Sequence, residues 1–410
     1  MRKVPELRFD GFDEEWEEYR FNDITKLSQG LQIPIDERYL QPSDDTYFYI
    51  TNEFLKPGSK KHYYIKNPNK SVIANKDDIL MTRTGNTGKV LTDVEGAFHN
   101  NFFKIAYDNS SISKYYLFYL LNSGVVQNKI LRLAGSSTIL DLNHKDFYSI
   151  ASSFPSLKEQ RKIGKIFKYL DALLETQEGK VAKMEDFKKS MLQKMFPKKD
   201  ELVPEFRFDG FDGEWEKLTL GDIGEVQSSG VNKIIYNNQK KVKLLNYMDV
   251  YNKKSPTNNN IDTFMETSAS DKEMLYKDVT KGDIFFTPTS ETAEDIGHSM
   301  VVEDYIKEMV YSYHIFRFRP NSDVLDINFS NYFCNINPVR KQLKIKAQGA
   351  QRYTLKLNDF RELIIKIPPL AEQQKIGKFF KNLDAQIENE EKLLESYKMM
   401  KKSLLQKMFV

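Results

Sequence analysis

Four hundred and ten residues are too many for one ordinary core and point to two to four units of roughly 100–200 residues each. With 40% hydrophobic and 29% charged residues the chain reads as globular, and no apolar run approaches the ~18–20 residues of a membrane helix. The single cysteine, Cys334, excludes a disulfide framework and a cysteine zinc cluster, while 61 Lys plus Arg against 58 Asp plus Glu, net +3, names no partner.

The N-terminal stretch MRKVPELRFDGF lacks the apolar core of a signal peptide, so the expected compartment is the cytoplasm. Residues 4–16, VPELRFDGFDEEW, return as VPEFRFDGFDGEW at 203–215. Behind the first copy come strand candidates at 47–51 (YFYIT), 78–83 (DILMTR) and 102–107 (FFKIAY), then a helix candidate at 113–131. Residues 155–196 form a second repeat. They align without a gap to 368–409, with 23 identities in 42 positions. The order is therefore a variable segment (1–154), a helical segment (155–197), a second variable segment (198–367) and a second helical segment (368–410). Strand candidates of the second variable segment are 241–247 (KVKLLNY) and 314–319 (HIFRFR), with a helix near 328–346.

Each helical segment opens on proline, which the first turn of a helix tolerates. A near-heptad apolar stripe follows, through Ile163, Phe167, Leu170, Met184 and Met191 in the first and Ile376, Phe380, Leu383, Tyr397 and Leu404 in the second. A helix of ~38 residues is ~57 Å long. Each ends where a variable segment begins, so the pattern is cyclic, which favours a pseudo-two-fold molecule with antiparallel helices. The polar residues Gln177 and Glu390 lie halfway along the two stripes and are expected to face each other.

Catalytic motifs are missing from the variable segments. The string GNTGKV (85–90) has its glycines too close for a phosphate loop, and Val90 follows the lysine where Ser or Thr should bind Mg²⁺. No methyltransferase tetrapeptide, HExxH or close His/carboxylate ligand spacing appears, and Glu178-Gly179-Lys180 lies inside a predicted helix.

Instead, cations and rings interleave with small polar residues around loops. The first segment offers Lys60, Lys61 and Tyr63, then Arg83, Thr84, Asn86, Thr87 and Lys89 after a strand, then Ser136, Ser137 and Thr138. The second offers Lys241 and Lys243, then Thr289, Ser290, Thr292 and His298, then Gln351, Arg352 and Tyr353. Arg, Asn and Lys are the side chains that reach guanine, adenine and phosphate, and glycine lets a backbone approach them. Any one loop could be ordinary solvated surface. Recurrence at matching places (DILMTRTG at 78–85 against DIFFTPTS at 283–290) favours binding.

Two unlike ~150-residue segments, each followed by a near-copied helix, resemble the specificity subunits of type I restriction–modification systems. The resemblance covers essentially the whole chain. It rests most on Leu157, Glu159, Gln160, Lys162, Ile163, Gly164, Leu170 and Asp171, repeated as Leu370, Glu372, Gln373, Lys375, Ile376, Gly377, Leu383 and Asp384. It implies an α+β fold: two target-recognition domains of mixed α/β structure joined by two long antiparallel coiled-coil helices. It also implies a non-catalytic reader of bipartite, gapped double-stranded DNA. Such a reader docks two methyltransferase subunits and, through them, restriction/translocase subunits. S-adenosylmethionine, ATP and Mg²⁺ would belong to those partners, with no cofactor or metal in this chain. A fused nuclease or methylase and a protein-binding adaptor are the rival readings. The segments carry 19 basic and 20 acidic residues (1–154) and 24 and 26 (198–367), so the readers are slightly acidic and are expected to borrow affinity from partners.

Overall fold

The computed structural model describes residues 4–56, 58–135, 140–228 and 231–410. Compactness divides the chain into one unit of residues 1–179 with 391–410 and a second of residues 180–390. Each long helix therefore gives its first part to one unit and its second part to the other.

The first unit carries an antiparallel sheet in the order Thr25–Gln29, Phe102–Tyr107, Ile79–Thr82, Val90–Leu91. A second sheet orders Tyr63–Lys66, Thr46–Ile50, Gly96–Phe98 and Ile73–Ala74, with its middle pair parallel. A ribbon of Glu17–Arg20 with Ala151–Phe154 closes the domain beside the long helix. The second unit repeats this plan. Its antiparallel sheet runs Gly224–Ser228, Phe316–Pro320, Ile284–Phe286, Ser299–Val301, and a three-stranded sheet again has a parallel pair, Lys240–Leu245 with Met309–Tyr311. Its closing ribbon pairs Glu216–Thr219 with Ile364–Ile367.

The Asp-Ile pairs at 78 and 283 start equivalent strands for a local reason. Asp78 accepts from the Asn75 amide at 2.8 Å, and Asp283 from the Thr280 amide at 2.9 Å, each fixing the turn that feeds the strand. The expected single helices at 113–131 and 328–346 are each broken in two. Ser123 ends Lys114–Asn122 and caps Gly124–Leu133, while Pro338 sits in the first turn of Asn337–Lys346, after Ile327–Phe333.

The long helices span Leu157–Lys194 and Leu370–Lys407. Ion pairs show that they run antiparallel in each unit. Asp171 meets Lys401 and Glu178 meets Lys398 in the first; Lys180 meets Glu390 and Lys188 meets Asp384 in the second.

The repeated helix motif turns out to be a docking set for the chain's own domains. Glu159 is buried and takes a two-bond contact from Arg8 (2.8 and 2.9 Å); Glu372 takes the same from Arg207. Gln160 accepts from the Ser113 amide at 2.9 Å and donates to Ser111 and Pro155 carbonyls, as Gln373 does with Asp326, Val324 and Pro368. Lys162 lies over Phe9 and Phe12, and Lys375 over Phe208 and Phe211. A Cβ on Gly164 would come within 2.9 Å of the Tyr115 Cβ and Tyr116 N, and one on Gly377 within 2.5 Å of Phe329 N. Tyr119 donates to Asp171 and Tyr332 to Asp384, at 2.6 and 2.7 Å.

The apolar stripe consequently divides its labour. Ile163, Phe167 and Leu170 belong to the first unit's core together with Met408 and Phe409. Ile376 and Phe380 belong to the second unit's core with Met191, Met195 and Phe196, and Leu383 is buried nearby. Val181 and Gln177 are buried further along, while Met184, Leu394, Tyr397 and Leu404 are half-buried. Phe187 and Met400, apolar residues of the same helices, stand about half exposed, because a two-helix seam covers only a narrow face.

Candidate nucleic-acid interface

In the first unit the strand Ile79–Thr82 turns through residues 83–89 into Val90–Leu91. Thr82 ties this hairpin at its base, its backbone bonding the Lys89 carbonyl and the Gly88 amide at 2.9 and 2.8 Å. Gly85 and Gly88 both have φ +87°, and a Cβ on Gly85 would meet the Asn52 amide nitrogen at 2.7 Å. Arg83 bonds Asp141 at 2.8 Å, Thr84 donates to the same carboxylate, and Leu142 N bonds the Arg83 carbonyl at 2.9 Å. Thr87 is buried and donates to the Leu140 carbonyl at 2.7 Å. Arg83, Thr84 and Thr87 thus hold the hairpin against the 140–142 segment, while Asn86 is left exposed at its tip and Lys89 at its base.

The Asn52 side chain donates to the Thr84 carbonyl at 3.0 Å and Lys89 reaches the Leu55 carbonyl at 3.4 Å, so the turn at 51–56 adjoins the hairpin. His62 packs on Phe48 and Phe54, which brings exposed Lys60 and Lys61 to the same border. Tyr63 is half-buried under Arg38, 5.4 Å from its ring centroid. Ser136, Ser137 and Thr138 lie outside the described residues.

The second unit builds the same corner differently. Thr289–Ser290 pairs as a short ribbon with Tyr353–Thr354, and Leu355 N bonds the Pro288 carbonyl at 2.8 Å, as Leu142 does with Arg83. Gly349 has φ +136°, and a Cβ there would lie 2.0 Å from the Arg352 carbonyl oxygen, so only glycine permits the tight turn that presents exposed Gln351 and Arg352. Ser290 is buried and donates to the Thr292 carbonyl at 2.6 Å. Thr292 is exposed.

His298 meets Asp295 at 2.7 Å with its ring 4.6 Å from Tyr251, which also donates to Asp295. The bond from His298 and, after it, the Tyr251 hydroxyl hold the Asp295 carboxyl below its ordinary range against a partial desolvation. Tyr247 donates to the Thr289 carbonyl at 2.6 Å and stacks on Tyr251. Burial, with Lys233 and Arg352 nearby, pushes the His314 pKa down.

Lys241 and Lys243 come from a different sheet. They lie on Lys240–Leu245, where Lys243 faces Glu266 and Asp262 at 3.7 and 3.9 Å. Sequence reasoning missed Asn52, Asp141, Tyr247 and Tyr251. The two tyrosines are four residues apart behind Asn246, a one-face helical spacing that could have singled them out. Among the described residues no group of three or more His, Cys, Asp or Glu side chains is placed to hold a metal, and no helix is long and apolar enough to cross a membrane.

A repeated α+β reader-and-helix architecture with a polar loop corner on each unit defines a class that the comparisons specify. Residues 13–186 and 212–398 match the family described as type I restriction modification DNA specificity domain, and the chain belongs to that family. It is 25% identical over 407 residues to the type I restriction enzyme MjaVIII specificity subunit of Methanocaldococcus jannaschii, covering 96% of this chain and 91% of the relative. The MjaIX specificity subunit of the same organism is 24% identical over 347 residues, covering 81% and 77%. The fold of this chain is similar to that of the type I restriction–modification S subunit from M. genitalium, at TM-score 0.61, 16% identity and 99% of each chain. A second solved chain, from work on complex assembly and conformational transition of the type I system, gives TM-score 0.56, 14% identity and 97% and 98% coverage.

Proposed function

We propose that this chain is the non-catalytic subunit that gives a type I restriction–modification complex its sequence specificity, each unit reading one half of a gapped double-stranded DNA target. The supporting observation is one scaffold used twice with different side chains at one corner. Asn86 and Lys89 project there in the first unit, and Gln351, Arg352 and Thr292 in the second. Asn and Gln pair with adenine, and Arg and Lys with guanine or phosphate. Unlike side chains on like scaffolds read unlike half-sites. The long helices, fixed in length, hold the half-sites a constant distance apart.

Two methyltransferase subunits dock on this chain and bring S-adenosylmethionine, and restriction/translocase subunits bring the ATP and Mg²⁺ chemistry. The buried positions Ile163, Phe167, Leu170, Ile376, Phe380 and Leu383 serve the chain's own cores, so docking falls to exposed helix residues such as Tyr169 and Met399. Methylation sequencing of a genome carrying this subunit with its methyltransferase should show a modified, gapped, adenine-containing motif. An unmodified genome with active methyltransferase present would overturn the reading.

A further inference from the structure

Beyond its first core strand, each unit carries a stretch, residues 31–40 in the first and 231–236 in the second, that is tied by hydrogen bonds yet exposes large aliphatic side chains. In the first unit Ile35 and Leu40 are 74% and 65% exposed. Their loop is not loose. Arg38 donates to the Ile33 carbonyl at 3.0 and 2.6 Å and lies over Tyr49 and Tyr63, and the Tyr49 hydroxyl donates to the Leu31 carbonyl at 2.7 Å. In the second unit Ile234 and Ile235 are 56% and 47% exposed. There Tyr236 N bonds Ser268 at 2.7 Å and Thr267 donates to the Asn232 carbonyl at 2.9 Å. The first core strand Thr25–Gln29 and its counterpart Gly224–Ser228 lead into these loops, so the placement recurs although the sequences differ.

Both loops border the polar corner through one equivalent turn. Leu31 bridges to His99 and its carbonyl accepts from Asn100 N at 3.0 Å, while Asn101 next door accepts from Arg83 N at 2.7 Å. Val231 bridges to Ser312 and its carbonyl accepts from Tyr313 N at 3.2 Å; the adjacent His314 lies in the field of both Lys233 and Arg352. A single exposed aliphatic side chain is ordinary, but its return on the equivalent loop of both units marks a surface that a partner covers. At the rim of a surface proposed to read base edges the occupant is DNA, and the apolar part of DNA is its stacked base steps. Aliphatic side chains enter such steps as wedges, unstacking them and kinking the duplex.

The geometry points to Ile35 and Leu40, and to Ile234 and Ile235, as wedges that open a DNA step at the edge of each half-site. This deepens the reading proposed above and rests on it. Once the modified motif is known, the chain assembled with its methyltransferase subunits is mixed with duplexes of that motif. Each duplex carries 2-aminopurine at one step in turn, excluding the target adenine. The wild-type complex should raise the fluorescence several-fold at one step per half-site. Ile35→Ser with Leu40→Ser should abolish the rise at one half-site only and weaken binding about tenfold; Ile234→Ser with Ile235→Ser should do so at the other. Tight, specific binding by wild type with no fluorescence rise, or a rise that survives both variants, sinks the wedge and leaves the specificity reading intact. Variants that no longer assemble with methyltransferase show a protein-docking surface and sink it too. A wild-type complex that binds no such duplex sinks the underlying reading itself.

Discussion

Glu159 and Glu372 are the most deeply buried charges that the repeated motif contributes, and each depends on one arginine from the opening repeat. A buried pair adds little net stability, but removing one partner strands the other's charge. Replacing Glu159 by Gln should therefore cost about 3 kcal/mol in urea unfolding. The same change at exposed Glu178 should cost less than about 1 kcal/mol. His99 supplies a pH test. Burial, with Arg38 nearby, depresses its pKa, and its Nδ1 accepts from the Asn101 amide at 3.1 Å. The folded chain thus resists protonation that the unfolded chain accepts below about 6.5, so this contribution is present above that pH and lost as pH falls toward the folded value. Between pH 7.5 and 5.5 wild type should lose more stability than His99→Gln; equal losses would refute the assignment.

Two glycines of the first long helix separate docking from intrinsic helix preference. Gly164 touches Tyr115 and Tyr116, so Gly164→Ala should push the helix off its domain and destabilise by about 2 kcal/mol despite alanine's better propensity. Gly179 has nothing within 4 Å of a built Cβ, and Gly179→Ala should stabilise by about 0.5–1 kcal/mol. Thermal unfolding of both variants checks the sign. At this scale much was legible from sequence. The long helices, their antiparallel sense and strands such as 102–107 follow from periodicity and from the cyclic repeat. Ser123 and Pro338 also announce breaks in the shorter helices, but the apolar runs that continue past them hide both. The corner was legible only in part. Loop composition marks Arg83, Thr84 and Thr87, yet their bonds to Asp141 and Leu140 join residues more than fifty positions apart, which no local pattern carries. Those bonds give the three side chains a bracing part at the corner.

For the whole molecule, the proposed function makes helix length a determinant of the target. Adding one heptad to both long helices near residues 179 and 390 lengthens each by ~10.5 Å, or about three base pairs of DNA. Methylation sequencing should then return the same two half-sites with a longer gap. An unchanged gap would end the idea that the helices act as a spacer.

The return of residues 391–410 to the first unit also sets an order of events during synthesis. Met408 and Phe409 fill the first unit's core, Phe409 stacking on Phe167 at 5.7 Å, whereas residues 180–390 form the second unit without interruption. The half of the protein made first is therefore completed last. Until the ribosome delivers those two side chains, Tyr116 and Phe167 wait around an unfilled site, and a released chain that ends at residue 390 should hold a folded second unit and an unfinished first.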